Sequence, residues 1–341
     1  MLRRSLLLLA PALALALPAA PADAQDRVLN VYSSRHYDTD RALYDGFTQR
    51  TGIRIRLIEG DADQLIERIR NEGANSPADV LMTVDAARLY RAQAGGILQP
   101  VRNAALEARI PAHLRDPEGH WFGISKRARV IMFDRQNPPQ GLTRMEDLSD
   151  PRFRGQICVR SSSHPYNLSL MGSILAANGE QAAEAWARGV VANFARQPQG
   201  GDTPQFQAIP AGQCRIAIAN TYYLARFGAS QNPAERALYD RIGVIFPNQA
   251  DRGTHVNVSG AGVVRTAPNR AAAVAFLEYL ASDDAQRLFA NGNFEYPVVA
   301  GIEPHPALAR FGEFREDSLN AARFGASSAQ ALQIMQRAGW R

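Results

Sequence analysis

Lysine is almost missing from this chain. Of its 38 basic residues only Lys126 is a lysine, and the others are arginines spread along 341 residues and offset by 33 acids. The formal charge of +5 therefore comes without the clustered basic stripe that a nucleic-acid footprint requires. Cysteine is scarce as well. Cys158 and Cys214 stand alone, which excludes a disulfide-dense scaffold, and neither has a second cysteine nearby to form a thiolate metal site. Beyond the first residues there is no apolar run near the ~20 residues of a membrane span, so the bulk of the chain is expected to be soluble. No internal repeat and no long disordered linker interrupt it. Hydrophobic residues make up 46% and charged residues 21%, as in a globular protein of one large domain or two smaller ones.

The first apolar run has the layout of an export signal. Arg3 and Arg4 precede a leucine- and alanine-rich stretch from Ser5 to Ala16, Pro18 breaks it, and Ala22-Asp23-Ala24 supplies a small-x-small cleavage site. Residues 1–24 are expected to be removed, with cleavage after Ala24 and delivery to the periplasm. No cysteine lies near that site, which excludes a lipid anchor made through an N-terminal cysteine. Arg3-Arg4-Ser5-Leu6-Leu7 loosely matches a twin-arginine signal, but the ordinary Sec-type reading is preferred. In an oxidising compartment an even pair of cysteines reads as one disulfide between Cys158 and Cys214, with buried free thiols as the alternative.

The rest of the chain alternates strand and helix patterns. Val28 to Ser33 reads as a strand, Asp40 to Arg50 as a helix ended by Gly52, and Ile53, Ile55 and Leu57 as a half-buried strand. Ala62 to Asn71 is helical, Ala78 to Val84 a strand, and Asp85 caps a helix toward Ala94. Residues 101–120 carry little periodicity. A strand over Trp121 to Phe133 opens a second series, with helices near 167–178 and 180–193, a strand at 215–219 and a helix after Tyr222. Strand character over His255 to Val264, helices over 271–290 and helical pieces in the tail complete it. Repetition at this spacing predicts an α/β fold of two lobes with mostly parallel sheets, whose strand ends face a crevice.

Three strand-to-helix junctions hold the chemistry: Ser33 to Asp40, Arg160 to Asn167 and Ala219 to Arg226. Each carries tyrosine. A single crevice tyrosine is an amphipathic lining residue. Tyr37, Tyr166, Tyr222 and Tyr223 together with His36 point further. A phenolate is a hard anionic donor that suits a hard, highly charged cation, and with a free pKa of ~10 it binds one only by losing its proton. Ferric iron fits best. Four tyrosinates against a tripositive ion leave one negative charge, with neutral His36 as a fifth donor and Arg226, Arg127 or Lys126 as charge-balancing groups. Asp38 and Asp40 are read as helix caps rather than ligands. Tyr32 is expected in the core, and Tyr44, Tyr90, Tyr239 and Tyr279 sit at packing positions. His255 is assigned a structural role.

These motifs resemble the periplasmic ferric-iron-binding proteins of bacterial ABC importers, in the transferrin-like group, and within it the branch that uses tyrosines and a histidine without a required synergistic anion. Tyr32-Ser33-Ser34-Arg35-His36-Tyr37-Asp38-Thr39-Asp40 and Asn220-Thr221-Tyr222-Tyr223-Leu224-Ala225-Arg226 are the specific part. Asn75 to Val80, Ser125 to Val130 and Arg252 to Asn257 support it. The resemblance implies a type II periplasmic-binding-protein fold, with lobes of residues 25–125 plus 250–299 and 126–249 plus 300–341 joined by hinge strands. It implies Fe(III) as transported ligand, with carbonate or another small anion as a potential companion. The implied partner is an inner-membrane permease, and the chain is expected to be a monomer with no enzymatic activity. It places Tyr166, Tyr222, Tyr223, His36 and Tyr37 at the metal. Where the family loop has asparagine and an aliphatic residue, this chain has His164-Pro165, which raises His164 as an alternative donor against the reading of an exposed loop histidine.

Two other readings compete. Arginines and tyrosines in a cleft also suit a small organic anion, such as a carboxylate or phosphonate. Ser161 to Ser163 beside His164 invite an exported hydrolase, but no strand–Gly-x-Ser-x-Gly–helix elbow and no distinct acid partner accompany them.

Overall fold

The computed structural model describes residues 27–35 and 37–341; the expected signal peptide and His36 lie outside the described residues. The strands are β1 (Val28–Ser33), β2 (Arg54–Glu59), β3 (Val80–Val84), β4 (Phe122–Asp134), β5 (Ile157–Cys158), β6 (Ile216–Asn220), β7 (Ile242–Ile245) and β8 (Val256–Val263). They form one curled sheet in the order β2-β1-β3-β8-β4-β6-β5, with β7 also on β4. The pairs β1–β2, β1–β3 and β5–β6 are parallel, as strand–helix–strand units dictate. The long strands β4 and β8 run antiparallel to their neighbours. The sheet is therefore mixed rather than mostly parallel, because the strands that carry the chain between lobes return against the direction of those they join.

Strand β4 belongs to both lobes. From Phe122 to Ala128 it pairs with β8, and from Arg129 to Phe133 it pairs with β6. One core cluster runs from Leu29, Val31, Phe47 and Phe276 in the first half of the sheet through Val258 to Phe206, Ala217 and Tyr239 in the other. A second, made of Ile131, Leu148, Met171, Trp186, Ile218 and Trp340 among others, lies wholly within that other half. The C-terminal helix Ser328–Arg337 packs on the helix Pro165–Ala192 and contributes Ile334 and Met335 to that second core.

Local chemistry sets the element ends. The Asp61 carboxylate accepts from the Asp63 and Gln64 amides and starts the helix Ala62–Glu72. Asp85 accepts from the Ala87 amide and starts Ala86–Ala94, as its sequence position predicts. Gly52 closes Arg41–Thr51 in the left-handed conformation, φ 71°. The helix Pro165–Ala192 is broken at Gly179, φ 78° and ψ 168°, where the sequence reading separates two helices. Several elements were not legible, the helices Asp202–Gln207 and Pro233–Arg241 among them. A short helix, Ala104–Arg109, sits in the stretch without periodicity, capped by Asn103, and the four-residue β7 is too short for a pattern. Among the described residues, no helix is long and apolar enough to cross a membrane.

Cys158 and Cys214 are joined in a disulfide with a Cα–Cα distance of 5.9 Å. It ties the end of β5 to the approach to β6, parallel neighbours in the second lobe. Closing a loop with a sequence separation of 56 restricts the unfolded chain. The double variant Cys158→Ser/Cys214→Ser is therefore expected to lose about 2–4 kcal/mol of stability. Urea titration should show an earlier midpoint, and the reduced native protein should match the variant.

Candidate metal site

The strand ends meet at a cavity of about 290 Å³ lined by Tyr37, Tyr166, Tyr222, Tyr223, Arg88 and Arg226, among others. The sequence reading puts its tyrosines on loops. The structure puts three of them in the first turns of helices. Tyr166 is the second residue of Pro165–Ala192, behind a proline whose missing amide costs nothing at that position. Tyr222 and Tyr223 follow Thr221 at the start of Thr221–Ala229, which leaves β6 with no intervening loop. There the positive end of the helix dipole favours a phenolate. Tyr37 precedes a single 3₁₀ turn, Asp38–Asp40, that leads into the helix Arg41–Thr51.

The Tyr166 and Tyr222 hydroxyl oxygens are 3.1 Å apart and share one hydrogen bond. The Tyr222 and Tyr223 rings stack with centroids 4.2 Å apart. Arg226, one turn further along the same helix, holds its guanidinium 5.0 Å from the Tyr222 ring, 5.9 Å from Tyr223 and 5.1 Å from Tyr37. It thus bridges the start of the helix Thr221–Ala229 and the Tyr37 segment. Arg35 approaches the Tyr37 ring to 4.9 Å. Arg127, Arg129 and Arg160 stand 5.5, 5.9 and 5.3 Å from the Tyr166 ring.

Burial dominates the electrostatics. It pushes the Tyr37, Tyr166 and Tyr222 phenols above their ordinary value near 10, Tyr166 and Tyr222 furthest, because a phenolate there would lose its water. Neighbouring phenols raise Tyr166 and Tyr222 further, while Arg127 pulls both back. The Glu295 carboxylate raises Tyr37, and Arg35, Arg127 and Arg226 oppose it. At neutral pH these three phenols keep their protons. A cation that takes their oxygens must therefore be charged enough to displace those protons, which is chemistry for a hard trivalent ion.

The other sequence candidates separate. Arg127 is buried beside the cluster, its Nη1 donating to Ser259 Oγ at 2.8 Å. Lys126 lies on the opposite face of β4, pairs with Glu316 at 2.7 Å and does not line the tyrosine cavity. His164 is not an exposed loop residue. Its Nδ1 accepts from the Tyr166 amide at 3.3 Å, its ring packs edge-on against Tyr166, and burial beside Arg160 depresses its pKa to about 2. His255 is buried against Phe324, as a structural residue would be. The capping role expected for Asp40 does not hold. Its carboxylate binds Arg35 Nε at 2.8 Å and accepts from Asn293, leaving the helix start without a side-chain cap. Tyr32, Tyr44, Tyr239 and Tyr279 are in the core.

Sequence reasoning missed Glu295, Arg88 and the bond from Arg129 to Asp202, 2.5 Å. One signal was available: Ser125, Arg127 and Arg129 alternate along β4, so period two puts three polar side chains on one buried face. A separate group, Asp116, Glu118 and His120, also draws together. The Asp116 carboxylate accepts from the Glu118 and His120 amides, so it stabilises a turn.

Residues 75–310 match the family described as bacterial extracellular solute-binding protein. The chain is 51% identical over 325 residues to iron uptake protein A1 of Synechocystis sp., covering 95% of this chain and 90% of that protein. Among solved structures it is similar to a Trichodesmium protein, IdiA or FutA, in complex with iron and citrate, with a TM-score of 0.90 and 54% identity over 92% of this chain and 100% of that one. The ferric binding protein from Campylobacter jejuni aligns with a TM-score of 0.85 at 38% identity, covering 92% of this chain and 100% of its own.

Proposed function

The chain belongs to the family of bacterial extracellular solute-binding proteins, and on that premise we propose that it captures ferric iron between its lobes and delivers it to an ABC importer in the inner membrane. The observation that carries this reading is the convergence of Tyr37, Tyr166, Tyr222 and Tyr223 on one cavity with guanidinium groups against their rings. Tyr166, Tyr222 and Tyr223 form a preassembled half-site on the second lobe. Tyr37 and His36, from the first lobe, complete it as the lobes close, with lobes of 25–125 plus 250–299 and 126–249 plus 300–341. Closure is then the differential affinity of the ion for two conformations. Arg226 and Arg127 offset the charge of four tyrosinates, and carbonate or another small anion fills any coordination position left over. The permease reads the closed shape. Export by cleavage after Ala24 delivers the chain to the periplasm, where it acts as a soluble monomer without turnover of its own.

A phenolate-to-iron charge-transfer band is the direct test. Purified protein given ferric citrate is expected to develop visible absorption, with stoichiometric iron by elemental analysis. A protein that stays colourless and iron-free, yet binds a carboxylate or phosphonate tightly without metal, would instead be a binder of small organic anions.

A further inference from the structure

A buried ion network lies beneath the tyrosine cavity, and one carboxylate is its hub. Glu295 follows the helix Asp283–Asn293 and is almost fully buried. It accepts from Arg35 Nη2 at 3.0 Å, from Ser125 Oγ at 2.9 Å and from Ser259 Oγ at 3.3 Å, and Arg127 Nη1 lies 3.5 Å away. Ser259 Oγ also accepts from Arg35 Nη1 at 2.7 Å and from Arg127 Nη1 at 2.8 Å. Asp40 takes the remaining edge of Arg35. Two guanidinium groups therefore face two carboxylates, and the network is neutral as a whole. Its members come from the Tyr37 segment, β4, β8 and the segment after residue 293.

Such a network is costly to bury and is weak grounds for stability. What it does hold is orientation. Each arginine has an edge in the network and its positive face toward a phenol ring. Arg35 lies 4.9 Å from the Tyr37 ring, and Arg127 lies 5.5 Å from Tyr166. The planar guanidinium fork has little freedom once its edge is bonded. We propose that Glu295 is a positioning residue of the metal site, which fixes Arg35 directly and Arg127 with the help of Ser259, and so sets the disposition of Tyr37 and Tyr166, one from each lobe. The proposal rests on the ferric-iron reading.

The test uses the full mature chain loaded with ferric citrate. Glu295→Gln removes the hub charge, and Ser259→Ala removes only the shared hydroxyl. Outer-shell partners of metal ligands commonly matter by about 10–100-fold in affinity. Glu295→Gln is expected to speed ferric release to a chelator by about that factor and to move the charge-transfer maximum, since the rings turn. Ser259→Ala should move both readings in the same direction by less. Should Glu295→Gln fail to fold, Glu295→Asp, which keeps the charge but draws it back from both arginines, is read beside Ser259→Ala and decides in its place. Folded variants with wild-type release and an unmoved band would overturn the role of Glu295 while leaving ferric binding intact. A wild-type protein that never develops the band would overturn the ferric reading itself.

Discussion

Tyr222→Phe is expected to abolish retention of ferric iron against a competing chelator. The effect should exceed the about 10–100-fold cost of an outer-shell change, because an anionic ligand is lost outright. Phenylalanine keeps the volume of the buried ring, so the core around it, Ala225 and Leu224 included, has no reason to collapse. The lost oxygen is also the partner of Tyr166 at 3.1 Å. The substitution thus removes one donor and leaves the second without the hydrogen bond that orients it. Citrate competition followed by visible absorption measures the loss. Unchanged affinity in Tyr222→Phe would exclude a site centred on this oxygen.

Acid should release the ion steeply. Burial holds the Tyr37, Tyr166 and Tyr222 phenols above their usual range, so the empty protein carries all three protons at neutral pH. A raised pKa means that protons bind the empty site more tightly, and metal must compete with them. Lowering the pH therefore favours the empty state, and affinity falls as pH falls. If each ion displaces at least three protons, apparent affinity changes by roughly 1,000-fold per pH unit. A pH-stat titration with ferric nitrilotriacetate counts the protons released on loading. One proton or none would contradict ligation by these phenols. The same raised values contribute stability to the empty fold that is present below about pH 10 and is lost as the buried phenols ionise at higher pH.

The sequence made the architecture readable where periodicity was strong. The helix Ala62–Glu72 buries Leu65, Ile66 and Ile69, and β2 alternates as an edge strand should. The tyrosines were readable because a phenol at a strand end has few other uses in such number. The arginines were not, since composition makes arginine common and hides the important ones. Period two alone separates Lys126 from Arg127, because successive strand residues point to opposite faces. Glu295 was beyond reach. It meets Arg35 across 260 positions, and nothing in its neighbours marks it as charged machinery rather than surface. Asp40 looked like a cap because caps are a local rule, and a buried arginine five residues earlier outbids a local rule.

The change of partner along β4 has a mechanical consequence. Between Ala128 and Arg129 the strand leaves β8 for β6. Rotation of one lobe against the other is absorbed most readily there, where the same partner strand does not hold both sides. Arg127 and Arg129 flank that point, and the Tyr166 ring lies close to both. A turn at that point would change the separation of Tyr37 from Arg226, whose guanidinium lies 5.1 Å from the Tyr37 ring across the gap. On the ferric-iron reading the Tyr166, Tyr222 and Tyr223 oxygens ride together as one body, and the Tyr37 oxygen is the one that travels. On that reading, capture would bring a single traveller up to a fixed reference of three oxygens.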